Sequence, residues 1–242
     1  MCGQSELSKL QVITDAAKRI VFFGGAGVST ESGIKDFRSQ DGLYNQKYDV
    51  PPETILSHTY FMCNTEKFFA FYRDKMLCLS AKPNAAHLAL TKLEQKGKLS
   101  GVVTQNIDGL HTAAGTKKVF ELHGSVHRNY CMKCGRMYDA QYILNSTGMP
   151  FCECGGIIKP DVVLYEEPLC DETVNGAVNA IREADTMIVA GTSLTVYPAA
   201  GLLRYFRGDK LVLINRTETP ADETADLVIR QSVGEVLGKI NI

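Results

Sequence analysis

The stretch Arg19-Ile20-Val21-Phe22-Phe23-Gly24-Gly25-Ala26-Gly27-Val28-Ser29-Thr30-Glu31 decides the fold of this chain. Its first five residues read as a fully buried strand: short, apolar, and β-branched or aromatic. The glycines permit a tight turn and let the backbone approach a ligand closely. Ser29 and Thr30 are suited to cap a helix, and Glu31 to its first turn. A strand, a glycine turn and a helix N-terminus together make a phosphate cradle, because free N–H groups and the helix dipole face the anion. The pattern is not the usual dinucleotide fingerprint. Gly25-x-Gly27-x-x-Thr30 has no third glycine, and no acidic residue ends a second strand about 20 residues later. Just past the cradle, Asp36-Phe37-Arg38 places an acid, an aromatic and a guanidinium on a polar loop.

Outward from this stretch, strand and helix patterns alternate. Apolar residues at Leu7, Leu10, Ile13 and Ala17 predict a helix leading into the first strand. Residues 40–82, with Pro51-Pro52, several aromatics and short helical patterns over 57–63 and 65–79, read as an insertion over the cradle. A helix over 83–96, with Asn84 as its cap, precedes buried strands over 101–104 and 119–122. Strands at 162–165, 185–190, 210–214 and 227–229 follow, separated by helical patterns over 173–184 and 197–206. Such alternation predicts an α/β fold: a doubly wound, Rossmann-like parallel sheet covered on both faces. Ligands bind beyond the carboxyl ends of the strands in such sheets. Gln105 to Asp108, His123, Thr192, Ser193 and Asn215 all fall at those ends, which predicts one shared site.

The totals exclude several classes of function. With 242 residues the chain is one large domain or a domain with a sizeable insertion. A net charge of −1 leaves no basic footprint for nucleic acid and no polybasic membrane signal. No apolar run approaches the ~20 residues of a membrane helix, and the polar residues Met1 to Glu6 do not open a signal peptide. Of eight cysteines, Cys131, Cys134, Cys152 and Cys154 cluster while the others are scattered. A metal set with free thiols points to a reducing cytoplasm.

Cys131-x-x-Cys134, 17 further residues and Cys152-x-Cys154 approach the two-pair zinc pattern, with a tighter second pair. Four thiolates make a closed tetrahedral site, which is structural because no position is left for water. Among the histidines, His58, His87 and His127 read as structural, and His111 as a turn residue. His123 ends a buried strand before a glycine. On position alone, a general base near neutral pH and a satisfied structural histidine both fit it. Asn106 and Asp108 fit turn formation as well as a binding role.

Gly24-Gly25-Ala26-Gly27-Val28-Ser29, Gly33-Ile34-Lys35-Asp36-Phe37-Arg38, Thr104-Gln105-Asn106-Ile107-Asp108-Gly109-Leu110-His111 and Leu122-His123-Gly124 resemble the signature blocks of the sirtuins, NAD-dependent protein lysine deacylases. The paired cysteines, Lys159 to Glu167, Gly191-Thr192-Ser193-Leu194 and Leu213-Ile214-Asn215-Arg216 do so too, in the family's order and from about Leu7 to Leu237. The resemblance, to a bacterial member above all, implies one catalytic unit over 1–242. Residues 1–38, 83–128 and 161–242 would form the NAD-binding domain, 39–82 a helical insertion with the cofactor loop, and 129–160 a zinc ribbon. Ala26, Thr30, Phe37, Arg38, Gln105, Thr192, Ser193, Asn215 and Val233 match positions lining the NAD site. Asn106, Ile107 and Asp108 match the nicotinamide pocket, and His123 the general base, with Asn106 and Arg38 in the catalytic group. Cys131, Cys134, Cys152 and Cys154 would hold one structural zinc. The acyl-lysine substrate would lie as an added strand between Val162–Tyr165 and the segment after Ser193.

The implied chemistry consumes NAD. The acyl oxygen attacks C1′ of the nicotinamide ribose as nicotinamide leaves, and His123 takes a proton from the ribose hydroxyls. The products are lysine, nicotinamide and O-acyl-ADP-ribose. Protein ADP-ribosylation and dinucleotide-dependent oxidoreduction are the competing readings, and a partner other than acyl-lysine protein is not implied; oligomeric state is not read from these residues. Lys35 stands where the family usually has proline, which loosens the loop without touching the chemistry. In the acidic-acyl branch a tyrosine and an arginine three residues later bind the acyl carboxylate. Tyr72 and Lys75 align there and share a helix face; a solvated surface lysine and an apolar tyrosine wall fit these residues better, and lysine lacks arginine's fork, which predicts a deacetylase with at most weak action on succinyl-lysine.

Overall fold

The computed structural model describes residues 5–37, 42–43 and 49–242. Helix α1 (Glu6–Ala16) leads into β1 (Ile20–Gly24), and the glycine-rich stretch follows. Helices α2 (Pro52–Ile55), α3 (His58–Cys63) and α4 (Thr65–Lys75) precede α5 (Ala85–Gln95), β2 (Leu99–Thr104), α6 (Leu110–Ala113) and β3 (Val119–Glu121). Next come β4 (Gly124–Cys131), β5 (Met137–Tyr138), α7 (Ala140–Asn145) and β6 (Ile158–Val162). The chain closes with α8 (Asp171–Glu183), β7 (Thr186–Ala190), β8 (Lys210–Ile214), β9 (Leu227–Ile229) and α9 (Val233–Leu237).

Six strands form one parallel sheet in the order β3-β2-β1-β7-β8-β9. Side chains of a strand alternate between faces, and here both faces are buried. Ile20, Phe22, Val102, Ile188 and Ile214 pack under α1, α5 and α9. Val21, Phe23, Val103, Met187 and Leu213 pack under α8 and the 3-10 turns of Ala199–Tyr205. The doubly wound sheet is therefore the architecture that the alternating apolar strands predict.

A second, three-stranded antiparallel sheet, β5-β4-β6, sits over its own core with the insertion helices. Phe61, Phe68 and Phe69 meet edge to face in that core, Phe61 and Phe68 with centroids 5.0 Å apart, and Tyr72 stacks on Phe68 at 5.5 Å. Two expectations change here. The segment predicted as a strand over 162–165 is outside the large sheet: β6 ends at Val162, and Tyr165 makes a lone bridge to Ser57. After β1 no α-helix begins; Ala26–Val28 and Thr30–Ser32 are two short 3-10 turns. Ser29 does not cap a helix, because its hydroxyl is engaged with side chains from the next strand end.

Beneath that strand end lies a buried histidine pair. His87 closes a capping box with Asn84, its Nδ1 accepting the Asn84 backbone N–H at 3.2 Å. His111 is 2% exposed, neither of its ring nitrogens has a hydrogen-bond partner among the described residues, and its ring centroid lies 4.6 Å from that of His87. Burial brings the His87 imidazole down to about 4, partly opposed by the Asp108 carboxylate. Burial and the neighbouring His87 bring His111 down to about 3. Both native values are below the unfolded value of 6.5, so the unfolded chain binds more protons. Their stabilising effect is complete above pH 6.5 and declines as pH falls toward the native values, by about 1.4 kcal/mol per pH unit per histidine at most. Denaturant unfolding across pH should show this acid limb, and His111→Leu, which fills the same space without titrating, should flatten it. An unchanged slope would remove His111 as its source.

Candidate active site

Chain order reverses between β1 and β7: β2 and β3 extend the sheet one way, β8 and β9 the other. Such a switch point opens a crevice beyond the carboxyl ends of the strands. A cavity of about 690 Å³ occupies it. Its floor is a contact between two backbones. Gly27 N–H donates to Gly191 O at 2.8 Å, and Gly25 N–H to Ala190 O at 3.2 Å. A Cβ on Gly27 would stand 2.7 Å from Gly191 Cα, and Gly191 itself has φ +58°. Thr30 Oγ1 donates to Gly27 O at 3.0 Å, and Glu31 accepts the Gly234 N–H at 2.6 Å, which brings Val233 to the wall. Ala26 and Thr30 line the cavity here, so the cradle is made by 3-10 turns and glycine contacts.

At the end of β2 the side chains tie together. Ser29, 1% exposed, donates its hydroxyl to Asp108 Oδ2 at 2.6 Å and accepts Asn106 Nδ2 at 3.0 Å. Asp108 Oδ1 in turn accepts the Leu110 N–H at 2.9 Å. One hydroxyl thus fixes both an amide and a carboxylate that face the cavity. Gln105 Nε2 reaches across to Thr192 Oγ1 at 3.0 Å, joining the β2 end to the β7 end. Ile107, Ser193 and Asn215 line the same space, and Asn215 is oriented by Nδ2 donating to Thr217 O at 2.9 Å. Phe37 stands at its rim against the small-domain core. Arg38 lies outside the described residues.

His123 occupies the link between β3 and β4 and also lines the cavity. Its Nδ1 is 2.9 Å from Gln105 O, and a carbonyl only accepts, so Nδ1 carries the proton. Nε2 is left as the basic nitrogen. Burial lowers the imidazole pKa below its ordinary value, against the raising effect of the Gln105 bond, so the ring is neutral at pH 7. Its backbone is set as firmly. His123 O accepts the Val163 N–H at 3.0 Å, and Gly124 has φ +75° with Asp161 O only 1.8 Å from where a Cβ would be.

The structure places every described residue predicted for the cofactor and catalysis on the wall of this one cavity. Ser29 is the residue that sequence reading passed over as a cap; its place five residues past the strand, inside the glycine block, was the available signal. The cleft also has two facing edges, Val163–Glu167 and the segment carrying Val196 and Tyr197. Tyr72 and Lys75 do not form an acyl-carboxylate pair at the cavity. Tyr72 is fully buried in the aromatic core, where burial raises its phenol well above the ordinary value, and it does not line the cavity. Lys75 reaches the wall and pairs with Asp74 at 2.9 Å.

On the small sheet, the sulfurs of Cys131, Cys134, Cys152 and Cys154 all lie within 4.8 Å of one another. Cys131–Cys154 and Cys134–Cys152 are 3.5 and 3.6 Å apart. A tetrahedron with zinc–sulfur bonds of about 2.3 Å requires sulfurs about 3.8 Å apart. The four thiols fit a structural zinc ion, with no place for a substrate on it.

Comparison with known proteins agrees with this geometry. The Sir2 family model matches residues 25–198. A protein of Clostridium acetobutylicum named NAD-dependent protein deacetylase is 60% identical over 236 residues, 96% of each chain. A namesake from Clostridium perfringens is 59% identical, over 97% of this chain and 98% of its own. A Sir2 structure solved with a deacetylated p53 peptide and 3′-O-acetyl-ADP-ribose superposes with a TM-score of 0.88 at 38% identity, covering 96% of both chains.

Two outcomes follow from the geometry. Ser29→Ala should cost about 1–3 kcal/mol in denaturant unfolding, since it strips a buried partner from a carboxylate. Its effect should be less than additive with that of Asp108→Asn; full additivity would deny the shared network. Metal analysis should find one zinc per chain, and Cys154→Ala should release it and expose the segment between β4 and β6 to protease, because structural zinc binding adds directly to folding. Folded protein free of zinc would contradict the site.

Proposed function

We propose, from the premise that this chain belongs to the Sir2 family, that its cleft removes acetyl groups from protein lysine side chains and consumes NAD in doing so. The chain belongs to that family over nearly its whole length. Lysine, nicotinamide and O-acetyl-ADP-ribose are the products. NAD supplies an activated sugar, whose bond to nicotinamide is exchanged for one to the acetyl oxygen.

The residues divide the work by position. Ala26, Thr30, Gln105, Thr192, Ser193, Asn215 and Val233 hold the dinucleotide along the strand ends. Asn106, Ile107 and Asp108 orient the nicotinamide carboxamide, with Ser29 keeping the amide and carboxylate in register. Phe37 covers the sugar and excludes water, and Arg38 beside it in sequence is assigned to the same site. His123 accepts a ribose hydroxyl proton at Nε2, the nitrogen left free by the Gln105 bond. Residues 1–38, 83–128 and 161–242 carry NAD; Leu56 and Asp74 to Met76 of the helical insertion over 39–82 add to the cavity wall, and 129–160 is the zinc ribbon. The acyl-lysine protein enters as an extended segment between the two cleft edges. A cytoplasmic setting follows from the sequence reading of a metal set beside scattered cysteines; among the described residues no helix is long and apolar enough to cross a membrane.

One observation carries this reading: His123, Asn106 and Asp108 converge on one cavity at the switch point of the sheet. Mass spectrometry of wild-type protein with NAD and an acetyl-lysine peptide should detect all three products, with no NADH absorbance. His123→Ala should bind NAD yet lose about 10²–10⁴-fold in turnover. Because the folded His123 pKa is below 6.5, kcat/KM should climb with pH and level off by neutrality. Near-normal turnover of His123→Ala would remove it as the base.

A further inference from the structure

One wall of the peptide cleft ends in an unusual residue. Glu166 has φ +76°, a left-handed conformation that residues other than glycine seldom adopt. Its own carboxylate holds it there: the backbone N–H of Thr59 donates to it at 2.8 Å and Thr59 Oγ1 at 2.7 Å. The backbone on either side is fixed as well, with Tyr165 N–H donating to Leu56 O and His58 N–H to Tyr165 O, each at 3.0 Å. Glu166 is exposed and lines the cavity mouth between Tyr165 and Leu169.

The charge of this lip is one-sided. Thr59 is a neutral donor, so it positions the Glu166 charge without cancelling it; its bonds keep the carboxyl below the usual carboxylate range, with His58 nearby adding to the effect. Glu167 is different, because Lys159 Nζ at 3.0 Å offsets its charge, and its other oxygen is hydrogen-bonded to His58 Nδ1 at 2.8 Å. No lysine or arginine occurs from Pro160 to Ile181, and no charged residue at all from Gly191 to Leu203 on the facing edge. Asp171 and Glu172, which follow on the Glu166 side, are acidic too. A peptide entering here meets a fixed negative charge that no cation of either edge balances.

We propose that Glu166 makes this cleft prefer acetyl-lysine substrates that carry an arginine or lysine beside the acetylated residue, an inference that rests on the peptide lying between the two edges. A flanking cation gains an exposed ion pair, and a flanking carboxylate is repelled. The attraction is set by charge and reach, so arginine and lysine both serve. Its size is that of an exposed pair, a preference of about two- to fivefold over a neutral residue at low salt.

Three acetyl-lysine peptides of one length, flanked by arginine, glutamine or glutamate, test this with the full-length zinc-loaded protein. Specificity constants and, separately, direct binding by fluorescence anisotropy should rank arginine above glutamine above glutamate. The spread should shrink as salt rises. Glu166→Gln keeps an acceptor for Thr59 but no charge, and should collapse the ranking. Equal values for the three peptides in the wild type, or a ranking that survives Glu166→Gln, would overturn the proposal. If no peptide is deacetylated, the ranking in binding still decides it, and only the proposed reaction fails.

Discussion

The rest of the structure depends on the contact of two backbones at the centre of the sheet. Gly27 and Gly191 touch where β1 and β7 end, close enough that a single methyl on either would collide with the other's main chain. That approach lets the β1 turn hydrogen-bond to the β7 turn rather than launch a helix. It brings Thr192 within reach of Gln105 and sets Ala26 and Thr30 along one wall of the cavity. The switch in strand order opens the crevice; the paired glycines decide what its floor is made of. A side chain at either position would push the two strand ends apart and break the bonds that span them.

Polar groups in this crevice are arranged so that each is oriented by a hydrogen bond to a neighbour. Ser29 serves Asn106 and Asp108, Gln105 O serves His123, and Thr217 serves Asn215. Buried polar groups are costly unless bonded, so the network holds its side chains in one arrangement before any ligand arrives. His111, packed against His87 with no hydrogen-bond partner for its ring among the described residues, is the exception, and it stays neutral because burial disfavours its charged form. Preorganised groups of this kind need not reorient as charge develops in a reaction.

The smaller unit solves another problem. A three-stranded sheet with a two-residue strand has little apolar area of its own, and four thiolates placed to hold a zinc ion would supply what packing cannot. Its remaining core joins aliphatic side chains of the small unit to the aromatic cluster of α3 and α4. Through Ser57, His58 and Thr59 the same helices grip the Tyr165–Glu166 edge. The zinc-bearing unit thereby shapes the mouth through which an acyl-lysine must pass, and it does so without touching the reacting atoms.

Much of this was legible in the chain alone. Short apolar strands alternating with helical patterns can bury both faces only as a covered parallel sheet, and ligand chemistry then falls at the strand ends. Cysteine spacing likewise marked the four metal ligands, since few other arrangements suit thiols so placed. The 3-10 turns after β1 were not legible, because Ser29 has the chemistry of a cap, and only the nearness of Asp108, 79 positions later, draws its hydroxyl elsewhere. The strand read over 162–165 fails for the same kind of reason: only Val162 is in a strand, paired with Gly124 at the end of the small sheet, while Tyr165 bridges to Ser57, partners set by the third dimension. Tyr72 and Lys75 share a helix face in sequence, yet the aromatic core takes the tyrosine and leaves the lysine at the wall. Local pattern determines which residues can form an element and what chemistry they bring. Which of two satisfied states a polar or aromatic side chain adopts is decided by its distant neighbours, because the free energy of burying it depends on the partner it finds there.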